Sequence, residues 1–138
     1  MPDIEYDNYL KITLFKLDQG FRQLDADERE SGKKEFSELV TELSSDNDIR
    51  SYSTVGTRPD SDMMLIQDSP TVDTFHETSK RINKTLMGKY LDQPYSYLSI
   101  RRKSRYKHGG GAHKLKEDYK YMVIYPMTKT RPWYEKSM

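Results

Sequence analysis

The 138-residue chain has no cysteine, one tryptophan and three histidines. Without cysteine there is no disulfide framework, no thiolate nucleophile and no thiolate-ligated metal. Three histidines cannot furnish a histidine-rich metal site. No stretch approaches the roughly 18 apolar residues of a membrane span. The opening segment, MPDIEYDNY, is acidic and lacks the basic-then-apolar pattern of a secretory leader, so the expected setting is cytoplasmic. Hydrophobic residues make up only 34% of the chain and charged residues 33%. Eleven tyrosines supply part of the missing apolar area, because a buried tyrosine needs a partner only for its hydroxyl. The length is that of one ordinary domain.

The net charge of +1 conceals an asymmetry. Residues 1–100 carry 12 Lys/Arg against 19 Asp/Glu, whereas residues 101–138 carry 11 against 3. Seven basic residues and two histidines lie between Arg101 and Lys116, with no carboxylate among them. Such a field attracts phosphates, carboxylates or an acidic partner surface; it is equally the composition of a solvated loop balancing an acidic body.

Hydrophobic periodicity orders the chain. Tyr9–Leu17 alternates as a strand, with Leu10, Ile12 and Leu14 on one face. Asp25–Glu30 carries helix-start signals, and Phe36, Leu39, Val40 and Leu43 follow at helical spacing until Ser44–Asp48 ends the helix. Ile49–Thr57 and Asp62–Gln67 form two strands joined by the turn Arg58–Ser61, close enough to pair as a hairpin. Ser69–Thr71 opens a second helix whose buried stripe is Val72, Phe75, Ser79, Ile82 and Leu86, stopped at Gly88. Tyr95–Arg101 is a fourth strand. The order β-α-β-β-α-β predicts an α+β, ferredoxin-like fold, an antiparallel sheet with two helices on one face. Residues 1–103 form that domain. Residues 104–118 form a basic loop containing Gly109-Gly110-Gly111. Residues 119–138 supply a fifth strand, Tyr119–Tyr125, and the start of a helix, the opening of a second, incomplete unit of the same kind.

The candidate site residues are few. Tyr125 and Lys129, four apart just past a strand end, either present a phenol and an ammonium to one pocket or are an ordinary strand end with a surface lysine. His76 reads as a helix-surface residue. His108 and His113 flank the glycine run without the fixed spacing of a metal pair, though either can act as an acid or base near neutral pH. Met63-Met64 reads as core filling. RNA binding fits a ferredoxin-like sheet with a basic edge, but the paired aromatics of RNA-recognition strands are missing from Tyr9–Leu17 and Met63–Gln67. No Ser-His-Asp arrangement, phosphate loop or dinucleotide fingerprint is present.

Several segments in order, Tyr9–Leu17, Tyr52–Leu65, Leu86–Leu91 with Pro94–Ser99, and Tyr125–Lys129, resemble the chlorite dismutase family, most closely its coprohaem decarboxylase branch. The resemblance implies a subunit of two ferredoxin-like halves in a dimeric α/β-barrel-type fold, commonly assembled as a homopentamer. It implies haem or iron coproporphyrin held mainly by the C-terminal half. The proximal histidine is expected there, and none of His76, His108 or His113 matches it. It further implies peroxide-dependent decarboxylation of coprohaem propionates, with Tyr125 as the redox-active residue, Lys129 assisting and His108 as a distal base. Tyr106 and Met127 are implied pocket neighbours. Hydrogen peroxide and a porphyrin are the implied partners. A non-catalytic scaffold that binds no haem is the alternative from a different class, and RNA binding through the basic loop is a third reading.

Overall fold

The computed structural model describes residues 6–102 and 120–136. In chain order the elements are β1 (Tyr6–Leu17), α1 (Gln19–Gln23), α2 (Ala26–Asp46), β2 (Asp48–Ser53), β3 (Met63–Ser69), α3 (Asp73–Lys84), a 3-10 turn (Met87–Tyr90), β4 (Leu91–Arg102) and α4 (Arg131–Glu135). The four strands are antiparallel in the order β2-β3-β1-β4. This is the ferredoxin-like α+β arrangement that the element order predicts.

Alternation along the strands creates two separate apolar layers. Phe15 of β1 and Leu65 of β3 face the helices and are buried with Phe36 and Leu43 of α2, Ile49 of β2 and Ile82 of α3. Leu14, Met64 and Ile66 project from the opposite face. Burying apolar surface is worth about 25 cal/mol per Å², and the helix-side layer holds the larger set of buried side chains. α2 starts where Asp25 accepts a 2.8 Å hydrogen bond from the Glu28 amide, satisfying a donor that the first turn would otherwise leave open.

β1 and β4 both begin earlier than the periodicity predicts, at Tyr6 and Leu91, and three other boundaries depart from it for a local reason. α3 begins at Asp73, because the Ser69 and Thr71 side chains ahead of it bond the Thr74 hydroxyl in its first turn. Val72, expected in the buried stripe, is therefore 45% exposed, and Phe75, Thr78 and Ile82 form the stripe instead. The helix ends at Lys84, four residues before Gly88. Gly88 lies in the 3-10 turn, where a Cβ would sit 1.9 Å from the Ile82 carbonyl oxygen. β2 stops at Ser53, because the following residues curl into a loop closed by the Arg58 amide donating to the Thr54 carbonyl and by a buried 2.9 Å Thr54–Ser61 hydroxyl pair. α1 has no counterpart in the sequence pattern; its cap is Asp18, which accepts from the Gly20 amide.

Candidate functional site

The helix-free face of the sheet carries Leu10, Ile12 and Leu14 from β1, Met64 and Ile66 from β3, Tyr52 from β2 and Tyr95 from β4. Residues 122–126 cross over this face, with Met122 and Ile124 packed onto it. The period-two pattern expected of the fifth strand is present: Met122 and Ile124 are half-buried, while Tyr121, Val123 and Tyr125 are exposed. The ladder is not. Among the described residues no strand pairs with 121–130, so the alternation comes from one apolar side seated on the sheet rather than from strand pairing. Tyr125 is 72% exposed and Met127 73% exposed, both on the outer side of the segment. Lys129 places its ammonium 3.7 Å from the centroid of the Trp133 ring, a cation–π contact joining the segment to α4.

One rim of the face is a polar cluster that the sequence shows only as a turn. Arg58 grips Asp60 with parallel bonds of 2.8 and 2.7 Å from Nε and Nη2. Its guanidinium also lies 5.1 Å from the centroid of Tyr95, whose ring stacks on Tyr97 at 6.3 Å. The Arg58 fork, with help from the Tyr95 hydroxyl, holds the Asp60 carboxyl far below the usual carboxylate range. The same hydrogen bond to Asp60, together with the carboxylate's charge, pushes the Tyr95 phenol up. Asp62 anchors the loop to β1, accepting from Lys16 at 3.1 Å and from the Leu17 amide at 2.9 Å. Burial alone would raise the Asp62 carboxyl, but these two donors outweigh it and lower the pKa.

Between this rim and the crossing segment lies a cavity of about 220 Å³. Leu14, Met64, Met122 and Ile124 give it an apolar lining, and Thr57, Arg58, Tyr95 and Tyr97 stand around it. At the far end of the same face, Arg101 pairs with Asp68, which also accepts from Asn8.

Of the residues expected at the site, Tyr125, Met127 and Lys129 come from one segment and all face outward. Tyr106, His108 and His113 lie outside the described residues, as does the basic loop 104–118. His76 is exposed on α3, on the other side of the sheet from the crossing segment. Among the described residues no group of three or more His, Asp and Glu side chains is gathered as for a metal, and no helix is long and apolar enough to cross a membrane.

The sheet order and its two-layer packing define an α+β ferredoxin-like unit with one open, aromatic-rich face. A family model described as "Chlorite dismutase" matches residues 29–138, and the chain belongs to that family. Among solved structures, a variant of chlorite dismutase from Candidatus Nitrospira defluvii is similar at a TM-score of 0.68 and 21% identity, over 76% of this chain and 44% of that one. The imidazole complex of chlorite dismutase from the same organism is similar at 0.65 and 21% identity, over 74% and 43%. A protein from Thermus thermophilus described as a novel heme-binding protein is similar at 0.59 and 20% identity, over 70% and 40%. The chain thus spans less than half the length of each of these structures.

Proposed function

We propose that the chain is the N-terminal part of a haem-dependent oxidoreductase of this family, whose complete form uses hydrogen peroxide to decarboxylate iron coproporphyrin. The observation that supports this reading is the seating of residues 121–130. Met122 and Ile124 fix the segment to the sheet, and Tyr125 is turned outward on a segment that also carries Lys129. An exposed phenol and a lysine four residues along the same segment are residue types that a propionate-bearing ligand edge can engage.

The described residues suit the carboxylate edge of such a ligand and not its iron. His76 is the one described histidine, and it stands on the helix side of the sheet. The cavity of about 220 Å³ is also smaller than the roughly 300–1,000 Å³ of pockets that enclose drug-sized ligands. In this reading the axial ligand and most of the pocket wall come from the remainder of the protein. With peroxide, the bound iron porphyrin supplies the oxidising equivalents. Tyr125 would give up an electron and a proton to that oxidant, take a hydrogen atom from the propionate side chain and be restored as a phenol. The propionate radical would then lose a second electron to the same oxidant and release its carboxyl as carbon dioxide, leaving a vinyl group. Lys129 offsets the charge of a neighbouring carboxylate. His108 serves as the base, and the basic run Arg101–Lys116 draws in the tetracarboxylate. Assembly as a homopentamer belongs to the same proposal and is read out by sedimentation.

The test is turnover of iron coproporphyrin with peroxide by the complete gene product, followed as loss of carboxyl groups by mass spectrometry. Tyr125→Phe is expected to abolish product; full turnover by that variant overturns the assignment. The scaffold reading draws on the position of His76, behind the sheet from the open face. It is separated by titrating haem into the 138-residue chain and watching for a saturable Soret band.

A further inference from the structure

A lysine that is to meet a ligand carboxylate must be held in place without losing its charge. We propose that Trp133 is a positioning residue, whose indole face holds the Lys129 ammonium ready for that carboxylate; the role rests on the reading above. Local folding brings the two side chains together. Pro132 fits the first turn of α4, where its missing amide is no loss, and the Trp133 amide donates to the Thr130 carbonyl at 3.0 Å. The Lys129 nitrogen, four residues before Trp133, then sits 3.7 Å from the ring centroid. The contacts of Arg58 with Tyr95 and of Lys120 with Tyr121 are looser, at 5.1 and 5.5 Å. Indole is also the ring that attracts a cation most strongly.

The ring does what a carboxylate partner could not. Lys16, Lys33 and Lys80 are held by an aspartate or glutamate at 3.1, 2.8 and 3.0 Å, and Arg58 is held by Asp60. In each of these the partner cancels the charge that an incoming carboxylate would seek. Lys129 forms no ion pair among the described residues. The indole attracts the cation through its quadrupole and carries no net charge. The lysine therefore keeps its full charge, and its N–H donors away from the ring, for a charge-assisted bond. A long lysine side chain loses much rotamer freedom when it is fixed, and here part of that loss precedes the ligand. Lys129 is exposed and Trp133 is 47% exposed, so a ligand edge can reach the ammonium from outside.

The chain has one tryptophan, so an indole ring-current shift can come only from Trp133. In the 138-residue chain, without any ligand, the ε-methylene protons of Lys129 are expected upfield of those of Lys33 and Lys34 on α2, and should rejoin them in Trp133→Leu. An unshifted Lys129 methylene overturns the proposal. In the complete gene product, with iron coproporphyrin and peroxide, Trp133→Leu is expected to lower kcat/KM about two- to fivefold, the strength of an exposed cation–π contact expressed as a ratio. Trp133→Phe, which keeps a weaker ring, should fall between. In a Lys129→Met background Trp133→Leu should cost nothing further, because the indole then has no cation to hold. Equal costs with and without the lysine overturn the positioning role alone. An unaltered protein that does not turn over iron coproporphyrin overturns the reading above and this role with it, even where the methylene shift is present.

Discussion

Asp68 and Arg101 form an ion pair on the open face of the sheet, their side chains only 6% and 14% exposed. Asp68 lies on β3 and Arg101 on β4, so the pair reaches across β1 and fixes the end of β4 from which the basic segment departs. Arg101 Nε is buried without a partner among the described residues, so the geometry does not satisfy the guanidinium fully. A buried pair of this kind contributes little net stability, yet removing one partner strands the other charge.

Arg101→Ala is therefore expected to destabilise the chain by about 3 kcal/mol, since among the described residues Asn8 alone remains to offset the Asp68 carboxylate. Replacing both members with apolar residues of similar volume should recover most of that loss. Urea unfolding of the single and double variants distinguishes the two results. A single variant as stable as the parent would show that the pair is solvated in solution.

Part of the acid sensitivity should originate in the β2–β3 loop. Asp60 and Asp62 are both held below the ordinary aspartate value of 3.8 in the folded chain. The unfolded chain therefore binds more protons as the pH falls, and folding stability drops with it. The contribution is complete well above 3.8 and is lost as the pH descends through the depressed folded values. Urea midpoints measured from neutrality down to about pH 2 should decline more gently in Asp62→Asn than in the parent. Parallel slopes would remove Asp62 from the explanation.

Much of this fold is legible in the sequence because two of its signals are strong. The alternation Leu10, Ile12, Leu14 places β1 on a two-faced sheet, and Phe36, Leu39, Val40 and Leu43 mark α2. Both patterns extend over enough residues that local exceptions do not disturb them. The misread boundaries are places where hydroxyl groups compete with the backbone, as at Ser69–Thr74 ahead of α3. α1 is too short, at five residues, to show a period. At the site, sequence spacing brings Tyr125, Met127 and Lys129 to one segment. It does not reveal the Arg58–Asp60–Tyr95 cluster, whose members are separated by 35 residues between Asp60 and Tyr95 and meet only through strand pairing. Arg58-Pro59-Asp60 read locally is a turn, and its second meaning is visible only beside β4.

Gly88 is a sharper test of packing than any core leucine. Its Cβ position lies 1.9 Å from a backbone oxygen, which cannot move aside as a flexible side chain would. Gly88→Ala should cost at least the roughly 1–3 kcal/mol of ordinary overpacking, by displacing the turn between α3 and β4. Gly56→Ala provides the contrast: nothing lies within 4 Å of its Cβ position, and its φ of +78° alone opposes the substitution. Thermal unfolding should rank Gly88→Ala well below Gly56→Ala, and the reverse order would show that the 3-10 turn adjusts freely.

The orientation of Tyr125 depends on two residues that pack against the sheet. Met122 and Ile124 hold one side of the segment on the sheet, and the period of two then turns Tyr125 outward. Replacing both with serine removes that apolar attachment while leaving the helix-side core of Phe15, Leu65 and Ile82 intact. The variant should therefore unfold globally at nearly the parental urea concentration. Amide exchange over residues 121–130 should nevertheless rise towards that of an unattached chain. If exchange there is unchanged, the segment is held by something other than the sheet, and the outward placement of the phenol needs another cause. If global stability collapses as well, the two apolar layers are one cooperative core, and the segment is part of the domain's foundation rather than an attachment to it.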